Sequence, residues 1–287
     1  MTVAAPDPRE VREASLDELS RLGLPLPPAQ FPLVWEPGDR IELRPTAEIE
    51  ARIAVLHLIL ARCFGMPPQA AMSWLLGSHL VEMVTPPEWQ FVMGGKGDHR
   101  SFVLHHDALF ALAWVLGLSK QLDPTLAVDE RLVERLPHIA EGESFPHWRS
   151  RILTAPQHPA DAAALLDLHY CLDWAYLETE RDGRRAPGLV DANAIGQRRW
   201  ALEWAVILRG PYHDEPPAGK RSTSPPEVSG VGTRPAGPRR SPGPARAGRP
   251  AGRRERPGRC ARRSGPSRPG WRPPGGSGPA PPGAPPN

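Results

Sequence analysis

Through the first 210 positions apolar side chains recur every three or four residues, the spacing that gathers them on one face of an α-helix. A first helix is predicted over residues 9–22. Pro8 suits its opening position, and Val11, Ser15, Leu16, Leu19 and Leu22 form one stripe before Gly23 and Pro25. Residues 24–44 hold Pro25, Pro27, Pro28, Pro32 and Pro37, which reads as an extended arm laying Phe31 and Trp35 against the domain. A second helix starts at Thr46, taken as its N-cap, and carries Ile49, Ile53, Leu56, Leu60 and Phe64 up to Gly65. Pro67 and Pro68 open a third helix through Trp74, Leu75 and Leu80, weakened at Gly77. Thr85-Pro-Pro-Glu88 has the pattern of a capping box and starts a short helix with Trp89 and Val92.

Gly94, Gly95 and Gly97 form a turn. The next helix, 101–116, buries Phe102, Leu109, Leu112, Ala113 and Leu116 ahead of Gly117. A helix over 129–136 follows, then a loosely specified stretch to 159 with room for irregular or strand pieces in 140–159. Two long amphipathic helices, 160–180 and 191–208, end at Asp182-Gly183 and Gly210-Pro211. No alternating strand of more than a few residues and no internal repeat is present. The fold class expected is all-α, a single domain of about seven to nine helices around one core.

Composition divides the chain at residue 216. From Lys220 onward there are 15 basic residues against Glu227 and Glu255, leaving 20 basic and 30 acidic residues before it. The overall net charge of +3 therefore describes neither part. The expected organisation is a disordered start at 1–8, a helical domain at 9–215 and an Arg/Pro/Gly-rich tail at 216–287 too poor in apolar residues to order itself. An acidic body has no electrostatic reason to seek nucleic acid, so that partner is expected only non-specifically, through the arginines of the tail.

The amino terminus is polar and lacks the apolar stretch of a signal peptide. The longest apolar runs, 53–61 and 108–118, fall short of the ~20 residues of a membrane span. Cys63, Cys171 and Cys260 show no paired spacing, which fits a reducing compartment. A cytoplasmic protein with no membrane contact is the expectation.

Four segments, taken together and in order, carry a resemblance: Leu43-Arg-Pro-Thr-Ala-Glu-Ile-Glu-Ala-Arg52, Asp107-Ala-Leu-Phe-Ala-Leu-Ala-Trp-Val-Leu-Gly117, Leu166-Asp-Leu-His-Tyr-Cys-Leu-Asp-Trp-Ala175 and Gln197-Arg-Arg-Trp-Ala-Leu-Glu-Trp204. The chain resembles the bacterial domain-of-unknown-function 4272 family from about residue 18 to 207. The resemblance implies no activity and no catalytic residue. Members of that family usually carry Trp-Arg-x-Glu where Leu104-His-His-Asp107 stands, and Glu-Arg where Gln197-Arg198 stands. The resemblance thus implies altered ion pairing at these positions.

His105, His106 and Asp107 form the densest cluster of ligand-type residues, but helical neighbours point about 100° apart and cannot share one ion. His169 and Asp173 share a helix face, a spacing more often used for ordinary side-chain pairing than for a metal. Neither a metal nor any other cofactor is expected. Asp167, Asp173, Arg198 and Arg199 are candidates for a polar network between the last two helices. Tyr170, Trp174, Trp200 and Trp204 either pack in the core or line an aromatic pocket. Gly94-Gly-Lys-Gly97 lacks the Walker spacing and a preceding strand.

Two classes of function follow. The favoured one is a non-enzymatic interaction or regulatory protein with a protein partner. The alternative is an enzyme or small-ligand binder with a cleft at Asp107, Asp167, Tyr170, Trp174 and Arg198. Whether the chain is an enzyme stays open. Only three lysines stand against 32 arginines, a GC-rich coding bias, and GC-rich DNA read out of frame yields Arg, Pro, Gly, Ala and Ser. The tail therefore also reads as a frameshift product beginning near Gly219.

Overall fold

The structure is a computed structural model that describes residues 2–95, 97 and 99–210. The chain divides into two units, Met1–Thr223 and Ser224–Asn287, and the expectations for the tail at 216–287 and for Lys96 lie outside the described residues. Nine α-helices and three short strands are found among those described: β1 Val3–Ala4, α1 Pro8–Arg21, β2 Arg40–Leu43, α2 Thr46–Cys63, α3 Pro68–Gly77, α4 Pro86–Gly94, α5 His99–Val103, α6 His105–Val115, α7 Phe145–Arg151, α8 Pro159–Arg181, α9 Ala192–Ala205 and β3 Val206–Arg209. The all-helical expectation is met apart from this small sheet.

α2 sits at the centre. From Ile49 to Leu60 every residue except His57 is buried, so the stripe read from the sequence is only part of a helix covered on nearly all sides. α6 packs between α2 and α9, while α8 packs on α9 and α1. Leu19 of α1, Leu172 and Tyr176 of α8 and Ile195 of α9 make a satellite core on that side.

Several element boundaries differ from the sequence reading, each for a local reason. Pro45 holds the cap position of α2, and Thr46 is its first helical residue. The helix expected at 101–116 is two, α5 and α6, joined at Leu104, where the Asp107 N–H reaches the Leu104 carbonyl at 3.1 Å in a tightened turn. The helix expected at 129–136 is a 3₁₀ helix over Glu130–Arg135, started by the Asp129 carboxylate accepting from the Arg131 N–H. The stretch left irregular contains α7, opened by Ser144 as N-cap with Pro146 in its first turn.

The last helix stops at Ala205. The β-branched Val206 and Ile207 continue as β3, which pairs antiparallel with β2 in the register Leu43↔Val206 to Arg40↔Arg209. β1 takes the other edge of β2, so residues 3–4, within the segment read as disordered, lie in a three-stranded sheet. Asp7 caps α1 by accepting from the Arg9 N–H. The arm of residues 24–44 follows the expectation: Trp35 is buried with its indole N–H on the Pro6 carbonyl at 3.0 Å, and Phe31 is half-buried.

Candidate functional site

The five candidate residues fall at two separate places. Arg198, on the buried face of α9, is fully enclosed and forms the first. Its Nε donates to Asp107 Oδ1 of α6 at 2.9 Å, with Nη2 at an ion-pair distance of 2.8 Å from the same oxygen, while Nη1 donates to the Asp123 carbonyl and Nη2 to the Leu126 carbonyl, each at 2.9 Å. The guanidinium lies over the Phe110 ring, 5.3 Å from the centroid. One side chain thus ties α9 to α6 and pins the loop of residues 123–128. Of the positions that the resemblance marks as altered, Asp107 and Arg198 pair with each other here.

That loop is fixed from its other side as well. The Tyr176 hydroxyl donates to the Pro187 carbonyl at 3.1 Å, the Leu189 N–H reaches the Thr125 carbonyl at 2.8 Å, and a Cβ on Gly188 would stand 2.3 Å from the same oxygen. Only glycine allows this approach, and its φ of +81° is also one that other residues resist.

Asp167 forms the second place. Its carboxylate accepts from Arg12 Nε and Nη2 at 3.1 and 2.7 Å and from the Ser15 hydroxyl at 2.8 Å, all buried between α1 and α8. The remaining Arg12 donors satisfy the Phe31 and Pro32 carbonyls. Tyr170 and Trp174 stand on the half-buried side of α8 against Phe31, at ring distances of 4.9 and 6.2 Å. Asp107 lines one cleft and Tyr170 another.

The expected network between the last two helices is therefore divided. Arg199 and Asp173 pair directly at 2.9 Å, but Asp167 turns to α1 and Arg198 to α6. Trp200 and Trp204 do not join Tyr170 and Trp174. They carry the guanidinium groups of Arg52 and Arg44 at 5.8 and 4.6 Å, and Trp200 is 40% exposed. Trp200 is thus an exposed arginine platform, whereas Trp204 carries its arginine while packing against the edge of the main core.

The histidines diverge too. His105 sets its ring edge-on against Phe102 at 5.5 Å, whereas His106 lines a cleft. Burial lowers the pKa of both. His169 is fully buried and pushed down to about 4 by that burial, with Nδ1 on the Leu165 carbonyl at 3.0 Å and Nε2 lacking a partner. It is a neutral core residue at pH 7, not one half of a pair with Asp173. Burial pushes the Cys171 thiol up to about 12, which removes it as a nucleophile at neutral pH.

Further buried charged groups escaped the sequence reading, among them Arg12, Arg52 and Glu50. Arg12 and Arg52 sit on the apolar stripes of α1 and α2, in phase with Leu19 and Ile49. That placement of a charge is the signal that would have found them. Arg52 meets Glu88 at 3.0 and 2.7 Å, and Glu88 also accepts the Thr85 N–H at 2.9 Å, so the capping carboxylate of α4 doubles as a buried counter-ion. Glu50 holds Arg149 of α7 at 2.6 Å.

The principal cleft, about 600 Å³, lies between α6, the segment following α8 and the start of α9. Its polar lining includes His106, Asp107, Glu180, Arg184 and Arg185. Among the described residues no group of three or more His, Cys, Asp or Glu side chains is placed to hold a metal ion, and no helix is long and apolar enough to cross a membrane. A family model described as "Domain of unknown function (DUF4272)" matches residues 11–215. No curated protein and no solved structure matches the chain.

Proposed function

The chain belongs to that domain-of-unknown-function family, and we propose that it acts as a non-enzymatic interaction or regulatory protein of the cytoplasm. The observation that carries this reading is that its buried charges are already spent on packing. Arg198 has its donors on one carboxylate and two carbonyls, Arg12 closes on Asp167 and Arg52 on Glu88. Such pairs specify how helices dock, and they engage these charges with the fold's own groups rather than with a substrate. The free thiols of Cys63 and Cys171 support a reducing compartment. A screen of the purified chain against hydrolase and transferase substrates tests the proposal; turnover that disappears in Asp107→Asn overturns it.

A second reading, small-ligand binding, is favoured by one observation: Asp107 and His106 reach the 600 Å³ cleft, a volume suited to a metabolite. The basic tail is set apart from both readings, supported by the family match ending at residue 215. Sequencing the gene tests the frameshift near Gly219, and codons incompatible with a continued family reading frame remove it.

A further inference from the structure

A second cleft, about 540 Å³, opens on the other side of the loop pinned by Arg198. Its floor is apolar: Phe110, Leu118 and Leu132 are each 4% exposed. Lys120, Arg131 and Arg135 line it from exposed positions. In this acidic domain most arginines close on a carboxylate, among them Arg12, Arg44, Arg52, Arg149, Arg151, Arg198, Arg199 and Arg209. Lys120, Arg131 and Arg135 do not, among the described residues, and all three meet at this cleft.

The two carboxylates in the lining are occupied by the backbone. Asp123 Oδ1 accepts from the Thr125 N–H and hydroxyl at 2.7 and 2.6 Å, bonds that lower its pKa and keep it ionised, and Asp129 Oδ1 accepts from the Arg131 N–H at 3.0 Å. Neither closes an ion pair with a side-chain cation, although the Arg21 guanidinium acts on Asp123 through space. Arg135 spends one donor on the Leu118 carbonyl at 2.7 Å, which holds the 3₁₀ helix across the cleft and leaves the rest of its guanidinium free. Three cations with unused N–H groups above an apolar floor are the chemistry that recognises an anion attached to an apolar body.

We propose that this cleft binds a small organic anion, a phosphate or carboxylate headgroup carried on an apolar group, with Lys120 and Arg131 holding the headgroup and Phe110, Leu118 and Leu132 receiving the apolar part. This site is distinct from the cleft at Asp107 and does not depend on whether that one is used.

The test is calorimetric titration of the full chain with phenyl phosphate, benzoate, inorganic phosphate and phenol at low and high salt. At least one of the two aromatic anions is expected to bind at least ~10-fold tighter than phenol and than inorganic phosphate, and to weaken with salt. The tighter of the two identifies the headgroup. The variant Lys120→Met/Arg131→Met, which alters two exposed side chains, is expected to melt like the parent and to bind ~10-fold more weakly, while Arg185→Ala in the first cleft changes nothing. Three results overturn the proposal: affinity unchanged in the double variant, which places binding on the arginines of the tail; equal affinity for inorganic phosphate and the aromatic anions; or no binding of either aromatic anion.

Discussion

Replacing Arg198 by methionine keeps an unbranched apolar stem but shortens the side chain and removes its charge and all its donors. Asp107 is then left without its counter-ion, and the Asp123 and Leu126 carbonyls lose their donor. Removing one member of a buried ion pair costs ~3–5 kcal/mol. The Asp107 side chain is 16% exposed, so water partly reaches it and the lower end of that range, about 3 kcal/mol, applies. At roughly 2–4 °C per kcal/mol for a domain of this size, the melting temperature falls by roughly 6–12 °C.

The measurement is urea and thermal unfolding of the parent, Arg198→Met, Asp107→Asn and the double variant. Because the two residues share one contact, the double variant loses less than the sum of the singles, with a coupling of about 1–3 kcal/mol. Hydrogen exchange adds an independent readout, since the Leu189 amide bonded to the Thr125 carbonyl exchanges faster once the loop is released. A loss below about 1 kcal/mol in Arg198→Met, or additivity within ~0.5 kcal/mol, refutes the view of Arg198 as the anchor of this loop.

Three more outcomes follow from the same physics. Gly188→Ala forces a Cβ to 2.3 Å from the Thr125 oxygen at a φ of +81°, so strain and overpacking of ~1–3 kcal/mol each lower its urea midpoint. Gly65→Ala, with φ at +101° and nothing within 4 Å, costs only the strain. Glu143, bonded to Arg151 and to the His138 N–H, has its pKa lowered to about 2, so its contribution is present above the ordinary carboxylate range and lost as pH falls toward 2. Glu143→Gln is therefore less stable than the parent at pH 6, and the gap closes by pH 2. His169 stays neutral in the fold to about pH 4 but takes up a proton near 6.5 when unfolded, so stability drains away between those values. His57, pushed down to about 4 by its own burial, adds to the same slope, so His169→Leu makes the slope shallower without abolishing it in unfolding curves from pH 7 to 4; an unchanged slope contradicts the assignment.

Helices were legible in the sequence wherever an apolar stripe ran between two breakers, as for α1 between Pro8 and Gly23 or α8 between Pro159 and Gly183. The sheet was not, because β1 and β2 are two and four residues long and β3 continues the apolar pattern of α9 without a break. A helix and a short strand look alike over so few positions, and only pairing with β2 decides between them. The candidate site was half legible. Spacing identifies Asp167, Asp173, Arg198 and Arg199 as polar groups on two neighbouring helices, but it does not say that Asp167 faces α1 and Arg198 faces α6. The partners Arg12 and Asp107 lie 155 and 91 residues away along the chain, and periodicity carries no information at that range.

The pairing of β2 with β3 joins Arg40 to Arg209, so the central strand waits for the last described segment of the chain before its ladder can close. During synthesis the emerging chain offers β2 only the two-residue β1 as a neighbour, and α6 lacks α9 over the same interval. Closing so long a loop adds little to the equilibrium cost but slows the search for the native arrangement. In a chain made from its N-terminus, the β2–β3 ladder and the packing of α6 on α9 are therefore among the last of these contacts that can form.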